Sequence, residues 1–337
     1  MDRISPPSRQ FDVIVTAGDR SGSRPVLKKN KVFLPIAGIP VINYVLSAIE
    51  RAHCTARIIV VGDKARLEEA LAIPNNPFKG HRPVVLVEQG NTLYDNVWSG
   101  FLHTLPGVTP GPDMPRQPGA PHELDPHMDK AVLIMSGDIP LATPAEIDAF
   151  ADSCDLTRYD YFLGITAEPT LRPYYPQNGQ AGIRMAYFTL RDLNMRQNNL
   201  HLVKPLRIGN RFLIQRIYDA RYQREWRNII KVCWQLATAR DISLRTLGAF
   251  GCLHAARTIA RLGWECVPIL RPFFLELPML ASVASQSLRT RFTTVTTPYG
   301  GCTLDVDNAE HYKAICLNFT RWLTHQEQLA QELKQQA

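Results

Sequence analysis

Residues 11–40 read FDVIVTAGDRSGSRPVLKKNKVFLPIAGIP, and the class of fold follows from how this stretch is punctuated. Phe11 to Ala17 is an apolar run that fits a buried first strand. A turn holding Gly18, Gly22, Arg24 and Lys31 breaks it, and the chain then re-enters an apolar segment. Backbone N–H groups freed by glycine, with cations beside them, suit a clamp for a polyphosphate. The same pattern also serves a plain surface loop between a strand and a helix, so the turn by itself does not choose.

Outward from this stretch, strand-like and helix-like segments alternate. Val41–Ala52 has Val41, Tyr44, Val45, Ala48 and Ile49 at helical spacing; Arg57–Val61 is strand-like and Lys64–Leu71 a short helix. Val84–Val87 and Ala131–Met135 read as strands, with a helix over Leu93–Leu105 between them. Thr143-Pro144-Ala145-Glu146 opens a further helix, with Pro at the first helical position and Glu146 placed to complete a capping box. Alternation of this kind predicts an α/β fold, a mostly parallel mixed sheet covered by helices on both faces. Beyond Tyr161 the pattern changes. Tyr161–Thr166, Ile183–Leu190 and Leu200–Val203 read as strands, 206–286 as a mainly helical insertion, Phe292–Val295 as a strand, and Ala309 onward as a long closing helix. Residues 106–127 form a Pro-rich segment expected to be a surface loop within a single domain.

Composition narrows the class further. A chain of 337 residues with 45% apolar content can bury a large core. The amino terminus, MDRISPPSRQ, lacks the pattern of a signal peptide, and no uncharged stretch approaches the ~20 residues of a membrane helix. A soluble, cytoplasmic protein is expected. Seven scattered cysteines without a CxxC pair argue against a disulfide framework or a zinc site. Charge is uneven: residues 181–230 carry ten Lys/Arg, including Arg184, Arg191 and Arg196, against three acids. That excess equals the whole net charge of +7 and suits an anionic substrate or surface, or a solvated basic face. Within 248–274 apolar stripes are mixed with arginines, which fits a core helix pair or an interfacial helix resting on a membrane.

Two downstream loops decide between these readings. Asp138 in SGDIPL follows the strand-like Ala131–Met135, and a carboxylate at the carboxyl end of a central parallel strand lies where open α/β sheets bind ligands. Asp305 and Asp307 in LDVDNAE follow another strand. Mg²⁺ takes one or two carboxylates plus phosphate oxygens, which two such loops could supply at one point.

Together AGDRSGSR with Lys31-Val-Phe-Leu-Pro-Ile-Ala-Gly-Ile-Pro, then Ser-Gly-Asp138-Ile-Pro-Leu, then Asp305-Val-Asp307-Asn-Ala-Glu resemble the sugar-phosphate and cofactor nucleotidyltransferases. The branch most similar is the NTP transferases akin to molybdenum-cofactor guanylyl- and cytidylyltransferases. The resemblance covers about residues 10–205 and 290–325 and implies a Rossmann-like sheet of the GT-A type. It implies that Ala17, Gly18, Gly22, Ser23, Arg24 and Lys31 surround the triphosphate, Arg24 and Lys31 as the catalytic cations. Asp138 and Asp307 would bind Mg²⁺, Gly90 and Asn96 of GNTLYDNVWSG would meet the nucleotide, and Asn199 and Arg184 would lie on the acceptor side. Relatives run Gly-x-Gly-x-Arg where this loop runs Gly18-Asp19-Arg20-Ser21-Gly22-Ser23-Arg24, so Arg20 competes with Arg24, as Asp305 does with Asp307.

The implied reaction is attack of an acceptor phosphate on the α-phosphorus of an NTP, with pyrophosphate released. The acceptor is expected to be a small or lipid-linked phosphorylated compound rather than nucleic acid, and peripheral membrane contact fits the basic insertion. A glycosyltransferase using a nucleotide-sugar is the rival, because Asp305-Val-Asp307 spells its Asp-x-Asp signature. A non-catalytic, membrane-peripheral nucleotide-binding adaptor is the second rival. A dinucleotide-dependent dehydrogenase is the weakest, for the first turn lacks Gly-x-Gly-x-x-Gly.

Overall fold

The computed structural model describes residues 9–20, 25–108, 122–177, 179–191, 193–211, 213–215 and 274–336, with residues 248, 251, 252, 255, 256, 258, 259 and 270 besides. The chain opens with β1 (Phe11–Thr16), a two-strand ribbon of β2 (Pro35–Ile36) and β3 (Ile39–Pro40), and helix α1 (Val41–Arg51). It continues through β4 (Thr55–Gly62), α2 (Lys64–Leu71), β5 (Val84–Glu88), α3 (Leu93–Leu102), β6 (Val132–Ser136) and α4 (Pro144–Asp152). Then follow β7 (Tyr161–Ala167), α5 (Glu168–Leu171), β8 (Phe188–Thr189), β9 (Asn194–Val203), α6 (Leu277–Leu288), β10 (Phe292–Thr296) and α7 (Ala309–Gln336).

One sheet organises these elements in the order β10-β7-β9-β6-β1-β4-β5, with β8 added beside β9. β1, β4, β5 and β6 pair in parallel, as do β7 and β10, while β9 runs antiparallel between β6 and β7. The mixed, mostly parallel sheet read from the sequence is therefore the one observed.

Burial on both faces explains the unbroken apolar runs. Val13, Val15, Ile58, Val60, Leu133 and Met135 point into a layer shared with α1, α4 and Trp322 of α7. Their neighbours Ile14, Ile59, Val61 and Val132 point the other way, against Tyr94, Trp98 and Phe101 of α3. Leu124, in the short turn at His122–His127, joins this second layer; the rest of the Pro-rich segment, 109–121, lies outside the described residues. Asp12, buried within β1, is held by Arg57 at 2.8 Å and Lys130 at 2.6 Å, so its charge stays compensated.

Helix starts follow their caps. Thr92 and Asp95 close a reciprocal capping box on α3, and Asp63 accepts from Arg66 N on α2. Thr143 caps α4 as expected, but Glu146 does not turn back to complete the box. Its carboxylate is fully buried and accepts from Cys302 N at 2.8 Å instead, so that this buried backbone N–H does not go unpaired. Asn308 accepts from His311 N at 2.9 Å and so caps α7.

Two strand boundaries differ from expectation. Of Ile183–Leu190 only Phe188–Thr189 pairs, and the expected short strand at Leu200–Val203 is the end of the ten-residue β9. Polar residues at Asn194, Arg196, Gln197, Asn198 and Asn199 hide its first half from an apolar count. Most of the expected insertion at 206–286, including Arg216, Arg221, Arg224 and Arg227, lies outside the described residues. Where described, Ile208 and Leu213 pack with Leu288 and Phe292 as a satellite core. Gln215 accepts from Tyr94 N at 3.0 Å and the Arg211 guanidinium stacks on Trp98 at 4.6 Å, which ties the start of this region to α3. No described helix is long and apolar enough to cross a membrane.

Candidate functional site

Ala17, Gly18, Gly90 and Asp138 follow the carboxyl ends of β1, β5 and β6, and Asp307 lies in the loop after β10; Asn96 stands on α3, Lys31 in a turn, Asn199 within β9 and Arg184 in the segment before β8. β1, β4, β5, β6, β7 and β10 all end at this carboxyl edge of the sheet, and antiparallel β9 begins there. Loops at this edge are where open α/β sheets hold ligands.

On one side, Ala17 and Gly18 leave β1 and pass against the loop after β5. A methyl group on Gly18 would stand 2.7 Å from Asn96 Nδ2 and 2.8 Å from Gln89 Oε1, so any larger residue here would push these two side-chain ends aside. Asn96 Oδ1 accepts from Gly90 N at 2.7 Å, which brings Gly18, Gly90 and Asn96 together. Gln89 went unmarked in the sequence, although it adjoins Gly90. It is buried, accepts from Asp19 N at 2.8 Å and donates to Asp19 Oδ1 at 2.9 Å, fixing the first residues of the turn. Arg20, the rival of Arg24, donates to Gln89 O at 3.0 Å and pairs with Glu88 at 3.2 Å. Gly22, Ser23 and Arg24 lie outside the described residues.

The turn resumes at Pro25. Val26 and Lys29 bond each other's backbone at 3.0 Å around Leu27 and Lys28, both in the left-handed region at φ 53° and 62°. Positive φ at both central residues suits a tight two-residue reversal closed by the Val26–Lys29 bridge, a conformation that non-glycine residues adopt at a cost. Asn30, also unmarked in the sequence, donates to Ala17 O at 3.1 Å and accepts from Val32 N at 3.2 Å. It therefore locks Lys31 against the end of β1.

Lys31 Nζ contacts Asp138 Oδ2 and stands 3.7 Å from Asp307 Oδ1. Asp138 is buried, takes a hydrogen bond from Ser136 Oγ, and lends its backbone carbonyl to Val306 N at 3.1 Å. That last bond joins the Asp138 loop to the Asp305–Asp307 loop. Arg196, from the start of β9, donates to Asp305 Oδ1 at 2.8 Å and stands 3.5 Å from Asp307 Oδ2. Burial disfavours the Lys31 ammonium, but Asp138, Asp305 and Asp307 more than offset it and hold its affinity for the proton above the ordinary lysine range. Asp305 is thus firmly paired and nearly buried, whereas Asp307 has a side chain 35% exposed.

Asn199, at φ 60°, donates to Cys302 O at 2.9 Å, and Glu146 holds Cys302 N, so two side chains anchor the loop that leads to Asp305. Burial pushes the Glu146 carboxyl up to about 7 despite that hydrogen bond. The basic segment is not a uniform patch. Arg191 pairs with Glu276, Lys204 and Arg207 with Asp129, and Arg196 with the aspartates above. Arg184 is exposed and lines a cleft of about 240 Å³ with Tyr175, Pro176 and Met185. The cleft adjoins the aspartates through Ala186, whose carbonyl lies 3.5 Å from Arg196 Nη1.

Among the described residues no three His, Cys, Asp or Glu side chains are grouped so as to hold a metal ion by themselves. Asp138 and Asp307 nevertheless face one point, the Lys31 ammonium, and are hard oxygen donors of the kind Mg²⁺ takes.

Residues 13–178 match the MobA-like NTP transferase domain, so the resemblance carried by the glycine-rich turn and Asp138 holds across that span. A 2-C-methyl-D-erythritol 4-phosphate cytidylyltransferase from Prochlorococcus marinus (strain MIT 9313) is 37% identical over 99 residues, covering 28% of this chain. The match spans 40% of that relative's length. A solved hypothetical transferase from Thermus thermophilus has the same fold, with a TM-score of 0.51 and 19% identity over 90% of this chain and 99% of its own.

Proposed function

We propose, from a MobA-like NTP transferase domain at residues 13–178, that this chain is a nucleotidyltransferase joining the NMP of an NTP to a phosphorylated acceptor. The observation that carries the reading is the meeting of Lys31, Asp138 and Asp307 beside the Gly18–Gly90–Asn96 cluster. A phosphate oxygen of the acceptor attacks the α-phosphorus, the bond to the β-phosphate oxygen breaks, and pyrophosphate leaves. The nucleophile is already ionised, so catalysis rests on alignment and charge neutralisation rather than on a general base.

In this reading Gly18 and Gly90 let the backbone approach the nucleotide, and Gln89 and Asn96 fix both loops. Lys31 and Arg24 offset charge on the departing pyrophosphate, which grows in the transition state and so favours rate over ground-state binding. Asp138 and Asp307 are the ligands for Mg²⁺, with Asp305 kept from that task by Arg196. Bound there with the triphosphate, Mg²⁺ supplies Lewis-acid polarisation of the phosphate oxygens. CTP is the first donor to test, given the cytidylyltransferase relative. Arg184 and its cleft suit the phosphate of a small polyol phosphate, and a lipid-linked phosphate belongs in the same screen.

Thermal shift with CTP, GTP, UTP and ATP, each with and without Mg²⁺, tests the reading. One NTP should stabilise wild type by about 2.7 kcal/mol at a hundredfold excess over its Kd, and its Mg²⁺ dependence should vanish in Asp138→Asn. Acceptors are then screened by pyrophosphate release, a product that a glycosyltransferase would not make. No stabilisation by any NTP would reject the transferase.

A further inference from the structure

We infer that Lys31 is a two-position counter-ion: it occupies the Asp138–Asp307 pair until a triphosphate arrives, and the divalent cation takes its place only as Lys31 moves onto phosphate. This rests on the nucleotidyltransferase reading above and concerns the order in which that site fills.

The geometry supplies the reason. Lys31 Nζ already touches Asp138 Oδ2 and lies 3.7 Å from Asp307 Oδ1, so it stands where a cation shared by these carboxylates would stand. A divalent ion cannot join them without displacing the ammonium. The displaced group is largely shielded, its side chain only 18% exposed. A buried charge stripped of its partner is strongly unfavourable, so Lys31 leaves only for another anion.

Neighbouring carboxylates do not provide that anion. Asp305 is held by Arg196 at 2.8 Å, and Asp307 is shared between Lys31 and Arg196. Nor do the described residues group three ligands for a metal on their own. A triphosphate supplies both missing parts at once, since its oxygens complete the coordination of Mg²⁺ and receive the ammonium. The three aspartates and two cations carry a net charge of about −1, too little for tight capture of a free divalent ion. The backbone on both sides of Lys31 is held, since Asn30 bonds Ala17 O and Val32 N. Only the side chain needs to swing.

The consequence is a pair of effects with opposite signs. Lys31→Met removes the resident ammonium and leaves Asp138 and Asp307 facing each other's charge. The variant should bind Mn²⁺ alone at least about tenfold more tightly than wild type, a change of ~1.4 kcal/mol. It should bind the NTP that stabilises wild type at least about tenfold more weakly. A side chain with a purely structural role would lower both affinities when removed.

Mn²⁺ binding is read by electron paramagnetic resonance on the full chain at pH 7.5, and NTP binding by calorimetry in Mg²⁺. Lys31→Gln is run in parallel, with circular dichroism and melting checked for all three proteins. Should Lys31→Met fail to fold without metal, restoration of its melting transition by Mg²⁺ that leaves wild type unmoved supports the inference equally. Mn²⁺ affinity that is unchanged or weaker in both variants overturns it, as does wild type binding Mn²⁺ alone as tightly as Lys31→Met. Nucleotide binding intact with no gain in metal affinity would remove the swing alone. Gained metal affinity with no NTP bound by wild type would instead remove the transferase reading, and with it phosphate as the second partner of Lys31.

Discussion

Arg196 and Asp305 lie 109 residues apart in the chain yet meet at 2.8 Å, with side chains 15% and 10% exposed. The pairing is possible because β9 runs against its neighbours, so its first residues share an edge with the last residues of β7 and the loop after β10. It gives the two aspartates of Asp305-Val-Asp307 different settings: Asp305 is fixed by the arginine, while the Asp307 side chain stays 35% exposed.

Removing Arg196 should therefore damage the site more than the fold's periphery. Arg196→Met leaves Asp305 buried without its partner, a defect that typically costs about 3–5 kcal/mol. Arg196→Lys keeps the charge but loses the planar fork that spans Asp305 and Asp307. We expect the melting temperature to order as wild type, Arg196→Lys, Arg196→Met, with pyrophosphate release falling at least ~10-fold in the lysine variant. A lysine variant with wild-type turnover would show that Asp307 needs no positioning.

Gly18→Ala tests the nucleotide side. The added methyl would press on Asn96 Nδ2 at 2.7 Å and Gln89 Oε1 at 2.8 Å, both ends of side chains that can shift. Overpacking of this kind costs about 1–3 kcal/mol, but here the displaced groups are those that fix the two loops. Affinity for the NTP should fall by roughly 10-fold or more while the melting temperature drops by only a few degrees. Gln89→Ala should reproduce the loss of affinity, since Asp19 N then lacks its acceptor. Calorimetry on the two variants checks both statements.

These residues also show what a sequence can disclose. Gly18, Lys31, Asp138, Asp305 and Asp307 can be singled out in the sequence because each belongs to a short contiguous pattern bordering an apolar run. Strand positions were legible for a related reason, since a strand buried on both faces, like Phe11–Thr16, needs an unbroken apolar run. Arg196, Gln89, Asn30 and Glu146 act through partners distant in the chain or through backbone groups, and composition carries no trace of either. Arg196 was counted within a basic segment, but its role depends on the direction of β9, which apolar periodicity does not encode. Glu146 carried a cap signature that was half true, because the signature cannot register Cys302 N waiting across the core.

Gly301→Ala probes the loop that presents Asp305 and Asp307. A Cβ there would collide with the Leu141 carbonyl oxygen and reach 3.0 Å from Glu146 Oε2. The first obstacle is backbone, which cannot rotate aside, so the turn Gly301–Thr303 must move as a whole. We expect a loss of stability of about 2–4 kcal/mol together with loss of turnover, read by urea denaturation and pyrophosphate release. Wild-type stability would mean that the turn is free to shift and does not fix the aspartates.

Glu146→Gln should give a dependence on pH whose sign follows from burial. The Glu146 carboxyl is fully buried, one oxygen bonded to Cys302 N and the other without a partner among the described residues. Burial raises it from 4.5 to about 7, so between these values the folded protein holds a proton that the unfolded chain has lost. Its contribution to stability is complete below pH 4.5 and is lost as pH rises through about 7. His201, half-buried in β9 and pushed down by desolvation from 6.5 to about 4, works the other way and weakens the fold as pH falls through that range. For this reason the informative quantity is the difference between variant and wild type, in which His201 cancels. Glutamine keeps an acceptor for Cys302 N and carries no charge. The variant should match wild type near pH 4 and exceed it by on the order of 1–3 kcal/mol at pH 8, measured by urea denaturation across the range. A difference that stays flat from pH 4 to 8 would show that Glu146 is ionised throughout, its charge carried by the Cys302 and Gly301 backbone. Glu146→Ala distinguishes the anchor from the charge, because it frees Cys302 N and should destabilise the fold at both ends of the range.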